Sequence, residues 1–162
     1  MYSVTHITEY LLFLKRQQHL QISLHSVEPN PLIAETPLSS FNIHENAYCS
    51  FVKSDPAARK RCITQQCKAF RRCTKGSYIG TCYAGVKEVV YPVFDGSNPV
   101  AFISVSGYQT ENPLPFFKAV CNEFSFDITK LSQMYNSLQP SEIDKQQIDI
   151  LVFPVCDMLK LA

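Results

Sequence analysis

Two runs of sequence decide the fold: Val86-Lys87-Glu88-Val89-Val90-Tyr91-Pro92-Val93-Phe94, and Val100-Ala101-Phe102-Ile103-Ser104-Val105-Ser106-Gly107-Tyr108-Gln109. Between them stands Asp95-Gly96-Ser97-Asn98, short, polar and carrying a glycine. β-Branched and aromatic residues on both sides of such a turn are the pattern of an antiparallel hairpin. Working outward, Tyr78 to Tyr83 predicts a strand just before it. Further back, His19 to Val27 alternates, with Leu20, Ile22 and Leu24 facing one way and Gln21, Ser23 and His25 the other. Glu28-Pro29-Asn30-Pro31 ends that strand, because proline cannot donate to a ladder.

Helical periods surround these strands. Ile7, Tyr10, Leu11 and Leu14 stand at i, i+3, i+4 and i+7, predicting a helix from about Thr5 to Gln17. Loop and short irregular pieces are expected to about Glu45, and Asn46 caps a short helix through Lys53. The next helix begins with Asp55 as cap and Pro56 in its first turn, and Gly76 follows its end. On its wheel Cys62, Ile63, Cys67, Phe70 and Cys73 form an inner arc. Cations at 59, 60, 61, 68, 71, 72 and 75 form the solvated remainder. Helices are expected again from about Phe116 to Phe124, from Asp127 to Leu138, and from Ser141 onward. Ser141 and Asp144 sit at capping-box spacing, and Pro154 kinks or breaks the last helix. The order gives an α+β domain with an antiparallel sheet, read as one domain over 1–162.

Bulk properties narrow the function. Of the 162 residues 46% are hydrophobic and 18% charged, and the formal net charge is +1. That is globular composition, less basic than a free-standing nucleic-acid binder. No helix-turn-helix pair is evident, so specific binding of duplex DNA by this chain is not expected. No export signal and no membrane-spanning run is found, which places the protein in the cytoplasm with reduced thiols.

Seven cysteines raise the question of metal or redox chemistry. There is no C-x-x-C pair. In one continuous helix Cys62 and Cys73 stand about 16 Å apart along the axis, too far to share an ion. No structural metal is therefore expected, and the thiols read as buried apolar groups. His44, five positions before Cys49, leaves a thiol enzyme open, although no orienting partner is visible. Phosphate-loop, dinucleotide and hydrolase motifs are absent, and no cofactor is expected. Glu88, set inside an apolar strand, is either an outward strand residue or a pocket group.

The ordered set Tyr48-Cys49-Ser50-Phe51-Val52-Lys53, Pro56, Cys62, Tyr78-Ile79-Gly80-Thr81-Cys82-Tyr83-Ala84-Gly85, Glu88, Pro92 and Ala101 to Tyr108 resembles the signature of the PocR sensory family. The resemblance implies a PAS-like antiparallel sheet with helices enclosing a small cavity. It also implies sensing of short diols or related hydrocarbon derivatives ahead of an AraC-type DNA-binding domain or a histidine kinase. The expected chain is thus a non-enzymatic sensor, with a cysteine-based metal or redox sensor as the alternative. DNA would be reached only through an output domain not recognisable in these residues; a homodimer is compatible with this reading. Many members carry histidine where this chain has Tyr83, which weakens any carried-over imidazole role there. The expected ligand-binding residues are Tyr48, Cys49, Cys82, Tyr83, Glu88, Ser104 and Ser106. Glu88 and the two serines, which share a strand face, would meet hydroxyls, with the tyrosines and thiols as walls.

Overall fold

A computed structural model describes residues 2–26 and 28–162. The expected end of the first strand at Val27 lies outside the described residues. Helix α1 (Val4–Arg16) is capped by the Ser3 side chain and leads to strand β1 (Gln21–His25). Short pieces follow, a four-residue helix α2 (Pro31–Ala34) and a 3-10 turn (Pro37–Phe41), then helices α3 (Ala47–Val52) and α4 (Pro56–Cys73). Strands β2 (Tyr78–Thr81), β3 (Val86–Asp95) and β4 (Asn98–Gln109) come next. Helices α5 (Leu114–Phe124), α6 (Ile128–Tyr135) and α7 (Lys145–Leu161) complete the chain.

The four strands form one antiparallel sheet in the order β1-β4-β3-β2. The fold is α+β and consistent with a PAS-like architecture. The β3–β4 hairpin closes at the pair Asp95 and Asn98, leaving Gly96 and Ser97 as a two-residue loop. Gly96 has φ +61°, as the first position of a primed hairpin turn requires.

Alternation along the strands gives the sheet two unlike faces. Ile22 and Leu24 of β1, Val89, Tyr91 and Val93 of β3, and Ile103 and Val105 of β4 pack against α1 and α7 in the largest core. The Tyr91 hydroxyl also donates to Asp149 of α7 at 2.6 Å. The opposite face carries Gln21, Ser23 and His25, set across from Ser106, Ser104 and Phe102. It is roofed by α3 and α4. A second apolar cluster, built on Tyr48, Val52, Phe117, Leu131 and Tyr135, joins α3 to α5 and α6.

Several expected boundaries move. Strand β2 stops at Thr81, so Cys82 and Tyr83 belong to the turn into β3. There Gly85 has φ +82°, and a Cβ on it would stand 3.0 Å from the Phe116 Cβ. Helix α5 starts two residues earlier than expected, since Pro115 fits its first turn. Helix α6 ends at Tyr135 instead of Leu138, because Gln139 leaves it to exchange backbone bonds with Gly107 and Gln109 at 2.8 Å each. Asp144, not Ser141, caps α7 by accepting from the Gln147 N–H, while the Ser141 carbonyl receives Lys87 Nζ at 2.7 Å. Pro154 does not break α7. Ile150, whose carbonyl loses its i+4 donor there, is exposed, and water can serve it.

The inner face of α4 matches the expected arc at Cys73 and Phe70 and departs from it at Ile63. Ala58, Ala69 and Cys73 are buried, and Ile63 is 57% exposed. Small residues let the helix lie close on the sheet, and that contact outweighs the hydrophobicity of a single isoleucine. The seven cations at 59, 60, 61, 68, 71, 72 and 75 are exposed.

Candidate functional site

A sheet face bearing serines, a glutamate and a histidine reads as one for water, yet here it is covered. The buried polar residues among those described are Ser23, His25, Asn46, Glu88, Ser104 and Ser106, and all lie on or beside this face. Buried polar groups need partners, from protein, water or a ligand. Some are met internally. Ser104 donates to the Glu88 carboxylate. His25 Nε2 and the Ser23 hydroxyl lie 2.8 Å apart, and the His25 ring stacks on Phe102 with centroids 5.0 Å apart.

The roof is tied to this floor through polar contacts as well. Asn46 caps α3 by accepting from the Cys49 N–H at 2.7 Å, and its Nδ2 donates to Gln21 Oε1 of β1 at 3.0 Å. Gln21 fits there only because residue 107 is glycine: a Cβ would stand 2.2 Å from Gln21 Oε1, and Gly107 has φ +90°. On the other flank, the Tyr48 hydroxyl donates to the Ala84 carbonyl and the Tyr135 hydroxyl to that of Gly85, both at 2.7 Å. These two bonds hold the turn carrying Cys82 and Tyr83. The Tyr83 hydroxyl reaches up to the Ala58 carbonyl of α4 at 2.8 Å.

Between floor and roof lies a cavity of about 450 Å³. Tyr48, Cys49, Cys82, Tyr83, Glu88 and Ser106 all contribute to its wall. Ser104 does not; it acts on the wall through its bond to Glu88. Both wall tyrosines have their hydroxyls engaged with backbone, so they offer rings. Sequence reasoning missed His44, Lys53, Arg59, Cys62, Gln66 and Phe102, which also line the cavity. His44 carried a signal only as a neighbour of Cys49. The α4 side chains were assigned to solvent or to a differently oriented inner arc.

Burial governs the electrostatics. It pushes the Cys49 thiol up to about 11 and the Cys82 thiol up to about 12. His44 is lowered to about 4, by burial first and then by Lys53. An activated thiolate with an imidazolium needs the opposite shifts. The Glu88 carboxyl is raised by burial, against the smaller opposing effect of the Ser104 hydrogen bond. A carboxyl so displaced toward its neutral form offers both an O–H donor and an acceptor. His44 Nε2 is shut off from solvent and has no hydrogen-bond partner.

Ser104→Ala is expected to strand the Glu88 carboxyl and lower stability by about 1–3 kcal/mol. Urea denaturation of the unliganded variant measures this. A cost near zero would mean that Glu88 finds another partner.

An antiparallel sheet roofed by helices, with a cavity of mixed polar and apolar lining between them, suits a sensory domain. Residues 16–155 match the family model described as the sensory domain found in PocR, and the chain belongs to that family. No match was found among curated proteins or among solved structures. Among the described residues no helix is long and apolar enough to cross a membrane. Nor do three or more His, Cys, Asp or Glu side chains among them form a group able to hold a metal ion.

Proposed function

We propose that the chain senses a short diol or a related polyhydroxy metabolite and passes its occupancy to an AraC-type DNA-binding domain, as a module of a transcription regulator. The observation that carries this reading is Glu88, a buried carboxyl in the wall of a cavity that Ser106 also lines. Vicinal hydroxyls each need a donor and an acceptor. A carboxyl displaced by burial toward its protonated form and a serine hydroxyl suit such a ligand, since they offer acceptors and a donor. Cys49, Cys82 and the tyrosine rings suit the carbon side of such a molecule.

Strand β3 links the cavity to the far side of the sheet, bearing Glu88 on one face and Tyr91, bonded to Asp149 of α7, on the other. A ligand that shifts Glu88 would therefore bias the seating of α7, which we propose leads toward the output domain. The cysteine-based metal or redox sensor has less behind it, since thiols raised to about 11 and about 12 are neutral and poorly reactive.

A melting screen over diols, sugars and short aldehydes tests the reading. Binding stabilises the folded state by RT ln(1 + [L]/Kd), about 2.7 kcal/mol at a hundredfold excess over Kd. At least one compound is expected to raise the melting temperature, and Glu88→Gln to reduce that rise. A screen without a stabiliser, or a rise indifferent to Glu88→Gln, would overturn the assignment.

A further inference from the structure

The polyol reading accounts for Glu88 and Ser106 but leaves another part of the cavity wall unused. Lys53 and Arg59 line the same cavity, and among the described residues neither forms an ion pair with a carboxylate. Lys53 Nζ has only the His44 carbonyl, at 3.4 Å. The one carboxyl in the wall, Glu88, is bonded to Ser104 on the sheet floor. Lys53 is half-buried and Arg59 stands on the exposed side of the lining. Two cations and no neutralising anion describe one half of a site. The cavity, at about 450 Å³, also falls in the range that holds molecules larger than a three-carbon diol.

We propose that the ligand is acidic as well as hydroxylated: its hydroxyls meet Glu88 and Ser106, and an anionic group, carboxylate or phosphate, sits at Lys53 and Arg59. This rests on the polyol reading and narrows it to hydroxy acids and phosphorylated polyols.

Glycerol, glycerate and glycerol 3-phosphate form a matched series, with a shared pair of hydroxyls and a third carbon that is neutral, a carboxylate or a phosphate ester. Calorimetric titration of the unaltered chain is expected to show glycerate or glycerol 3-phosphate binding roughly ten- to a hundredfold tighter than glycerol, the size of a charge-assisted hydrogen bond. The better of the two identifies the anion. Replacing both cations, Lys53→Gln with Arg59→Gln, is expected to bring the anionic ligands down to the glycerol value. Sodium chloride titration of the unaltered chain reads the same preference without a variant, since screening weakens only the charged contact. Equal affinities across the series, unmoved by salt, would overturn this inference and leave the polyol reading standing. No binding by any of the three up to 100-millimolar levels, roughly the weakest affinity worth calling a site, would overturn both.

Discussion

Acidification is expected to destabilise this domain well before its carboxylates titrate, because two histidines are buried in neutral form. His25 is lowered to about 3, by burial first and then by His44 and Lys53, and His44 to about 4. Unfolded, each takes up its proton near pH 6.5. Below that value the unfolded chain binds more protons than the folded one, so stability falls as pH falls, by about 1.4 kcal/mol per pH unit for each histidine. Their contribution is complete above pH 6.5 and is lost on the way down to the folded values. Glu88 acts in the other sense. Its raised value means that the folded state holds a proton the unfolded state has released, so its contribution improves as pH falls toward the unfolded value of 4.5. The two histidines together lose about 2 kcal/mol between pH 6.5 and 5.5 and outweigh the one glutamate, leaving a net loss of about 0.5–2 kcal/mol. Urea denaturation at pH 7.5, 6.5 and 5.5 checks this. His44→Gln is expected to remove a large part of the slope. A flat profile would mean that both rings are protonated or hydrated in the folded protein.

Gly107→Ala is the substitution expected to damage fold and site together. A side chain at φ +90° is strained by about 1–3 kcal/mol. The added Cβ would also stand 2.2 Å from Gln21 Oε1, so the amide must leave. Its departure releases Asn46 Nδ2, at about 1 kcal/mol for the lost hydrogen bond. The expected total is about 2–4 kcal/mol, with weakened ligand binding because Asn46 also caps the helix that carries Tyr48 and Cys49. Gly96→Ala is the control. It too has positive φ, +61°, but nothing within 4 Å of its Cβ, so only the backbone term applies. Equal losses at the two glycines would show that the Gln21 contact is unimportant. Adding Gln21→Ala to Gly107→Ala is expected to remove the clash and leave the conformational strain.

Much of the frame was legible locally. The hairpin follows from β-branched runs around Asp95 to Asn98, and α3 and α4 follow from Asn46 and Asp55, whose side chains accept from the N–H groups they were expected to cap. Misreadings arose where a distant contact overruled a local preference. Ser141 has good capping chemistry, but its carbonyl is taken by Lys87 and the helix starts at Asp144 instead. Ile63 is apolar and lies exposed, because the close approach of α4 to the sheet selects Ala58 and Ala69. Of the seven expected site residues, six meet at one cavity and Ser104 stands one hydrogen bond away. His44 and Lys53 were not legible as site residues. Nothing in their neighbourhood along the chain says that the residues flanking α3 fold over the sheet.

By itself the sequence determined which side chains share a face. A strand's period of two puts Gln21, Ser23 and His25 together, and likewise Ser104 and Ser106, whatever the rest of the molecule does. It could not say which face water reaches. Alternating apolar and polar residues ordinarily mark a half-exposed strand, and Glu88 could equally have pointed outward. Only the tertiary structure decided that α3 and α4 close over the polar face while α1 and α7 cover the apolar one. The physical reason is that helix placement depends on contacts between residues far apart in the chain: Asn46 with Gln21, Tyr83 with Ala58, Tyr48 with Ala84. Those contacts turn a polar strand face, ordinary at a surface, into the floor of a cavity.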